Sequence, residues 1–139
     1  MLRLATALRC VSRTCAGYIS PGPRLEKRPV FYELRQYRVL PGKMDAWLEL
    51  MEGEFIPFAV SRGMNITAAS RGEERGEEDE TVYVWMRRFE SEAERERVDA
   101  AVYGSDTMKN DIGPRVSDVL APDGHVVTRI VPTPASLTR

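Results

Sequence analysis

Cysteine occurs at only two positions, Cys10 and Cys15, both near the N-terminus. A domain that starts beyond them has no disulfide, no thiolate nucleophile and no cysteine-based metal site. Histidine is scarcer still. His125 is the only one in 139 residues, which excludes a His-rich metal centre within one chain. Haem ligation would need an axial residue aimed from a helix, and the expected helices hold neither His nor Cys. No apolar stretch approaches the roughly 20 residues that a membrane-spanning helix requires. No nucleophile elbow, phosphate loop, dinucleotide fingerprint or zinc motif occurs. No metal and no cofactor is therefore expected.

Acidic side chains and lysine are missing from one further place, the first 25 residues. That segment carries Arg3, Arg9, Arg13 and Arg24 against no Asp or Glu, a charge of +4. The rest of the chain holds 16 basic and 21 acidic side chains, so the net -1 of the whole hides a domain near -5. A domain of that sign is a poor nucleic-acid binder, because phosphate neutralisation needs a cationic surface. In residues 1–25 the apolar Leu2, Leu4, Leu8 and Val11 alternate with arginines among Ser and Thr. This is the composition of a mitochondrial presequence; a secretory signal needs an unbroken apolar core, which Arg9 and Arg13 interrupt. Residues 1–25 are read as targeting segment and linker, 30–132 as one domain, and 133–139 as a flexible tail. The expected location is the mitochondrial matrix.

The domain alternates clearly. FYELRQYRV, from Phe31 to Val39, reads as a strand closed by Pro41-Gly42. Met44, Trp47, Leu48, Met51 and Phe55 then fall on one face of a helix, with Trp47 as core. Pro57 collides with the carbonyl four residues back, so a kink or break is expected near Gly53. Gly63 is placed as a left-handed cap. Met64 to Ser70 is a weaker strand. The tandem Arg71-Gly72-Glu73-Glu74 and Arg75-Gly76-Glu77-Glu78 reads as a solvated hairpin tip rather than a calcium loop, since the EF-hand spacing is absent. TVYVWMRRF, from Thr81 to Phe89, is the clearest strand. Ser91 and Glu94 form a capping box for a helix through Val98 and Val102 that Gly104 closes. Ser105 or Asp106 caps another helix, interrupted at Gly113-Pro114. Pro122-Asp123-Gly124 is expected to be a turn before a last strand, His125 to Val131. The order βαββαβ predicts an α+β, ferredoxin-like subunit with both helices on one face of the sheet.

Both central strands offer large apolar residues on both sides. The reading that follows puts Val82, Val84 and Met86 under the helices. It leaves Tyr83, Trp85, Arg87 and Phe89 uncovered, beside Glu33, Arg35 and Tyr37. An uncovered aromatic patch is rare on monomers, so a second copy is expected to cover it and close a barrel, as an isologous homodimer. Glu33, Arg35, Tyr37, Tyr83, Trp85 and Arg87 then line its interior as a candidate ligand pocket. There an arginine could hold an anion and Glu33 could act as a base if desolvated. The plainer alternative is that Glu33 pairs with Arg35 or Arg87 in the dimer seam. His125 reads as a strand-end residue. The catalytic residues, if any, stay unassigned.

The segments FYELRQYRVLPGKM, FIPF, EEDETVYVWMRRFESEAERER and YGSDTMKNDIGPRV closely resemble the NIPSNAP domain over roughly residues 30–131. That family is similar to the dimeric α/β-barrel superfamily. The resemblance implies a barrel-forming dimer and a mitochondrial location. It also implies a non-enzymatic binding or adaptor role linked to mitochondrial quality control, with autophagy-related protein partners, or to vesicular transport. The wider superfamily implies an alternative, a small cofactor-independent enzyme of monooxygenase or isomerase type acting on a hydrophobic or aromatic metabolite. The doubled RGEE loop and the single short domain depart from longer relatives.

Overall fold

A computed structural model of the chain describes residues 30–73 and 80–137. The targeting segment expected over 1–25 and the whole second RGEE repeat lie outside these residues. Four strands, β1 (Phe31–Val39), β2 (Asn65–Arg71), β3 (Thr81–Phe89) and β4 (Leu120–Ile130), form one sheet in the order β2-β3-β1-β4. Every neighbouring pair is antiparallel. Three helices complete the α+β, ferredoxin-like fold: α1 over 44–61, α2 (Glu92–Tyr103) and α3 over 106–117.

The strongly alternating strands became the two central ones. In β3, Thr81, Tyr83, Trp85, Arg87 and Phe89 are all buried, while the residues between them are half-buried or exposed. A period of two is what a strand with one covered face requires. Trp47, Met51 and Phe55 from α1, Val98 and Val102 from α2, and Ile112 from α3 join Tyr83, Trp85 and Phe89 in a single core. The aromatic face of the sheet therefore lies under the helices, and the expectation that Val82, Val84 and Met86 face them is corrected. The physical reason is area. Rings of Tyr, Trp and Phe remove more apolar surface from water than Val or Met do, and they interlock edge to face with helix residues. Trp47 meets Tyr83 and Phe55 meets Trp85 in such T-shaped contacts, with centroids 5.7 Å apart in each.

Neither Pro57 nor Pro114 breaks its helix. Each sits two residues beyond a π-helical stretch, Glu49–Phe55 in α1 and Met108–Ile112 in α3. In these turns the amide of Ile56 bonds to Met51 O, and that of Gly113 to Met108 O, five residues back. The wider turn accommodates a ring that would collide with the carbonyl in an ordinary α-turn. The helix runs on where a break was expected. Gly63 ends α1 with φ 95°, as its left-handed cap. The amides of Gly63 and Met64 bond to Val60 O and Ala59 O, closing a Schellman motif. Pro122-Asp123-Gly124 is not a turn between elements but an irregularity inside β4. The pairing with β1 shifts between Tyr37 and Val39, and Asp123 takes φ 53°. Between these pairs β4 carries three residues more than β1, an irregularity that lets the strand continue past the proline.

At the start of α2 the Ser91 Oγ accepts from the Glu94 amide at 3.1 Å, and Glu94 reaches back to the Glu90 amide at 2.6 Å. The box thus closes one residue earlier than its usual form, on Glu90 rather than Ser91. Ser105 Oγ accepts from the Met108 amide and caps α3. Replacing Ser91 with Ala should lower unfolding free energy by about 1 kcal/mol in a urea titration, with the slope unchanged.

Candidate functional site

In the β1–β3 register, Glu33 lies directly opposite Arg87, Arg35 opposite Trp85, and Tyr37 opposite Tyr83. Directly opposed residues project to the same face. The six residues singled out from sequence are therefore brought together, but on the helix side of one subunit rather than in a seam between two. Arg87 is 0% exposed. Its Nε and Nη2 donate to Glu33 Oε2 at 2.9 and 2.6 Å, and its Nη1 donates to Asp99 Oδ1 at 2.7 Å. The Tyr103 hydroxyl accepts a longer contact from Nη1 at 3.4 Å. Arg95 adds a third cation, 3.1 Å from Asp99 Oδ2 and 3.9 Å from Glu33 Oε1.

Asp99, Arg95 and Tyr103 were not foreseen. They come from α2 at positions 95, 99 and 103, one stripe at four-residue spacing. That spacing, opposite an arginine flanked by Trp85 and Phe89 on a central strand, was the available signal. A buried guanidinium there needs carboxylates from the element that covers it.

Burial alone would raise the Glu33 carboxyl. The hydrogen bonds and charge of Arg87, and then of Arg35, outweigh it and hold the group below its ordinary value of 4.5. Both Glu33 oxygens face cations, which is the arrangement of a structural ion pair and not of a general base poised to take a proton. Burial pushes the Tyr103 hydroxyl up to about 12, against the lowering effect of Arg35 and Arg87. Burial, then the Glu52 carboxylate, also raises Tyr83, whose hydroxyl donates to Glu52 Oε1 at 3.3 Å.

Arg35 is held differently from Arg87. Its two terminal nitrogens make only long contacts, 3.3 Å to Glu33 Oε2 and 3.5 Å to the Tyr37 hydroxyl. Its guanidinium lies 5.6 Å from the Trp85 ring centre and 5.8 Å from that of Tyr103. Burial would weaken its proton affinity, but the oxygens of Tyr103, Tyr37 and Glu33 raise it overall, so the cation persists. Tyr37 also stacks on His125 at 5.3 Å. His125 is exposed within β4, not at the strand end.

No family model and no curated protein matches the sequence. Solved structures do match. A NIPSNAP family protein of unknown function from Agrobacterium tumefaciens str. C58 superposes with a TM-score of 0.66 at 22% identity, covering 80% of this chain and 95% of that one. A second structure of that protein gives 0.61 at 25% identity, over 77% and 97%. An uncharacterised NIPSNAP domain protein from Burkholderia xenovorans gives 0.63 at 15% identity, over 76% and 97%. The chain has the fold of these proteins, in agreement with the resemblance carried by residues 30–131.

Because Glu33 is depressed, its contribution to stability is full above its unfolded value and is lost as pH falls through its folded value. The melting temperature should drop on acidification below about pH 5. In Glu33→Gln that drop should be shallower, and stability at pH 7 should be lower by about 3–5 kcal/mol, because buried Arg87 loses one of its two carboxylate partners. Scanning calorimetry from pH 3 to 7 measures both.

Proposed function

We infer that this chain, a NIPSNAP-family protein by its motifs and its fold, works by binding, as a homodimer within mitochondria. The observation that carries the dimer is the second face of the sheet. Leu34, Val82, Val84 and Met86 share that face with Thr128 and Val126, the β4 partners of Leu34 and Gln36. None of the four apolar residues belongs to the core under the helices. Val126 is 55% exposed, and Val82 is exposed as well. An aliphatic stripe of this kind, bordered on the same face by Gln36, Arg38 and Arg88, is suited to a partner surface with an apolar centre and a polar rim. A second copy laid on it gives an isologous pair, with the aliphatic sides facing inward. The pairing surface is thus opposite to the aromatic one expected from sequence, and the ionic cluster of Glu33 and Arg87 stays inside each subunit.

The tail contributes at one end. Residues 131–136 turn back beside Tyr32, Met86 and Ile130, framing an open hollow of about 320 Å3. Tyr32 is buried there while its strand neighbours on the same face are not. The rest of the face remains for the partner subunit. A binding role also agrees with the helix side, where Glu33 and Asp99 are both engaged by arginines and neither is placed as a free base. The basic, acid-free residues 1–25 support delivery to mitochondria. The link to mitochondrial quality control or vesicular transport comes from the family resemblance.

Sedimentation velocity of the chain at micromolar concentration should give a dimer, and Val84→Arg should give a folded monomer with an unchanged far-ultraviolet spectrum. A wild-type monomer would remove the dimer from this reading. Import into isolated mitochondria should yield a protease-protected, shortened product. Replacing Arg3, Arg9 and Arg13 together with Gln should abolish that product.

A further inference from the structure

We propose that Arg35 is the recognition point of a site for a small carboxylic acid with an aromatic or apolar body, entered from the β4 flank of the helix side. Three observations converge on it. The first is charge. Arg35, Arg87, Arg95 and Arg129 form one network with only three carboxylates, Glu33, Asp99 and Glu92, so the network carries one cation in excess. The shortest bonds of Glu33 and Asp99 go to Arg87, which leaves Arg35 the long contacts of 3.3 and 3.5 Å.

The second is the kind of group left over. Among the described residues, the buried side-chain atoms without a hydrogen-bond partner are all N–H donors. They include Arg35 Nε and the indole nitrogen of Trp85, a residue whose ring centre lies 5.6 Å from the Arg35 guanidinium. Trp47, whose ring meets that of Tyr37, leaves its indole nitrogen unpartnered too. Buried donors normally find acceptors. A cluster short only of acceptors, with a cation in excess, fits a ligand that brings an anionic oxygen.

The third is access. The Arg35 side chain keeps 15% of its surface in water. Its partner on β4 is Val127, on the helix side of the sheet yet 42% exposed. The walls beside Arg35 are the rings of Tyr37, Trp85 and Tyr103. A planar carboxylate matches the two-pronged guanidinium edge, and an apolar body matches these walls and Val127. A hydrated tetrahedral anion matches the charge but not the walls. The site does not depend on the dimer or on the mitochondrial location.

The full-length chain is titrated with benzoate, hexanoate and inorganic phosphate while tryptophan fluorescence and melting temperature are followed. Benzoate and hexanoate should give saturable changes and phosphate none. Arg35→Lys keeps the charge but loses the planar donor edge, and should weaken benzoate binding about 10-fold or more. Val127→Glu, an exposed position that should leave the fold intact, should weaken it as well by repelling the incoming anion. The proposal is overturned by a flat titration, by phosphate binding as well as benzoate does, or by wild-type affinity in both Arg35→Lys and Val127→Glu.

Discussion

Everything in the helix layer answers to one guanidinium. Arg87 sits at the centre of β3 with no exposure, in a position where an unpaired cation would cost several kcal/mol. It is tolerable only because Glu33 arrives from β1 by strand register and Asp99 arrives from α2. A one-residue slip of β1 against β3 would turn Glu33 to the opposite face and leave Arg87 unmatched. A different seating of α2 would remove Asp99. The ion cluster thus ties two strands and a helix to one arrangement, while the apolar contacts around it would tolerate several. Tyr103 and Arg35 close over the same group, so the aromatic walls of the core and its charges are one construction.

The two prolines illustrate a second constraint. Pro57 and Pro114 belong to different helices, yet each follows a π-helical stretch at the same interval. An extra residue per turn rotates the following face by roughly 100° relative to an uninterrupted α-helix. In α1 residues are buried before the stretch (Met44 and Trp47), within it (Leu50, Met51 and Phe55) and after it (Ala59). The prolines that looked like interruptions are compatible with one continuous helix, because the wider turn before each makes room for its ring.

Much of this architecture was legible in the residues. The bounds of β1 and β3 follow from alternation, the Gly63 cap and the Ser91 cap from turn chemistry, and the ferredoxin-like order from the succession of elements. The side of the sheet chosen by the helices was not legible, because both central strands carry large apolar groups on each face. Alternation says that Tyr83, Trp85 and Arg87 point together; it does not say toward what. Misjudging that side moved Glu33 and Arg35 from the core of a subunit to a seam between two. Asp99 was missed for a related reason. On α2 it looks like one more charge among Glu92, Glu94, Arg95, Glu96 and Arg97, and only contact with β3 distinguishes it. The bulge at Pro122-Asp123-Gly124 was hidden because the same tripeptide serves equally for a turn.

The pairing of Tyr32 with Ile130 has a topological corollary. The strand that opens the domain and the strand that closes it are hydrogen-bonded neighbours, and their outer ends share one corner of the sheet. The β2–β3 connection lies at the opposite end, where Val39 faces Thr81. A covalent bridge across the first corner and a cut in that connection would rearrange the order of the polypeptide without removing any rung of the ladder. Such a permuted chain would keep Glu33 and Arg87 on adjacent strands, and would carry its free ends at the far side of the molecule.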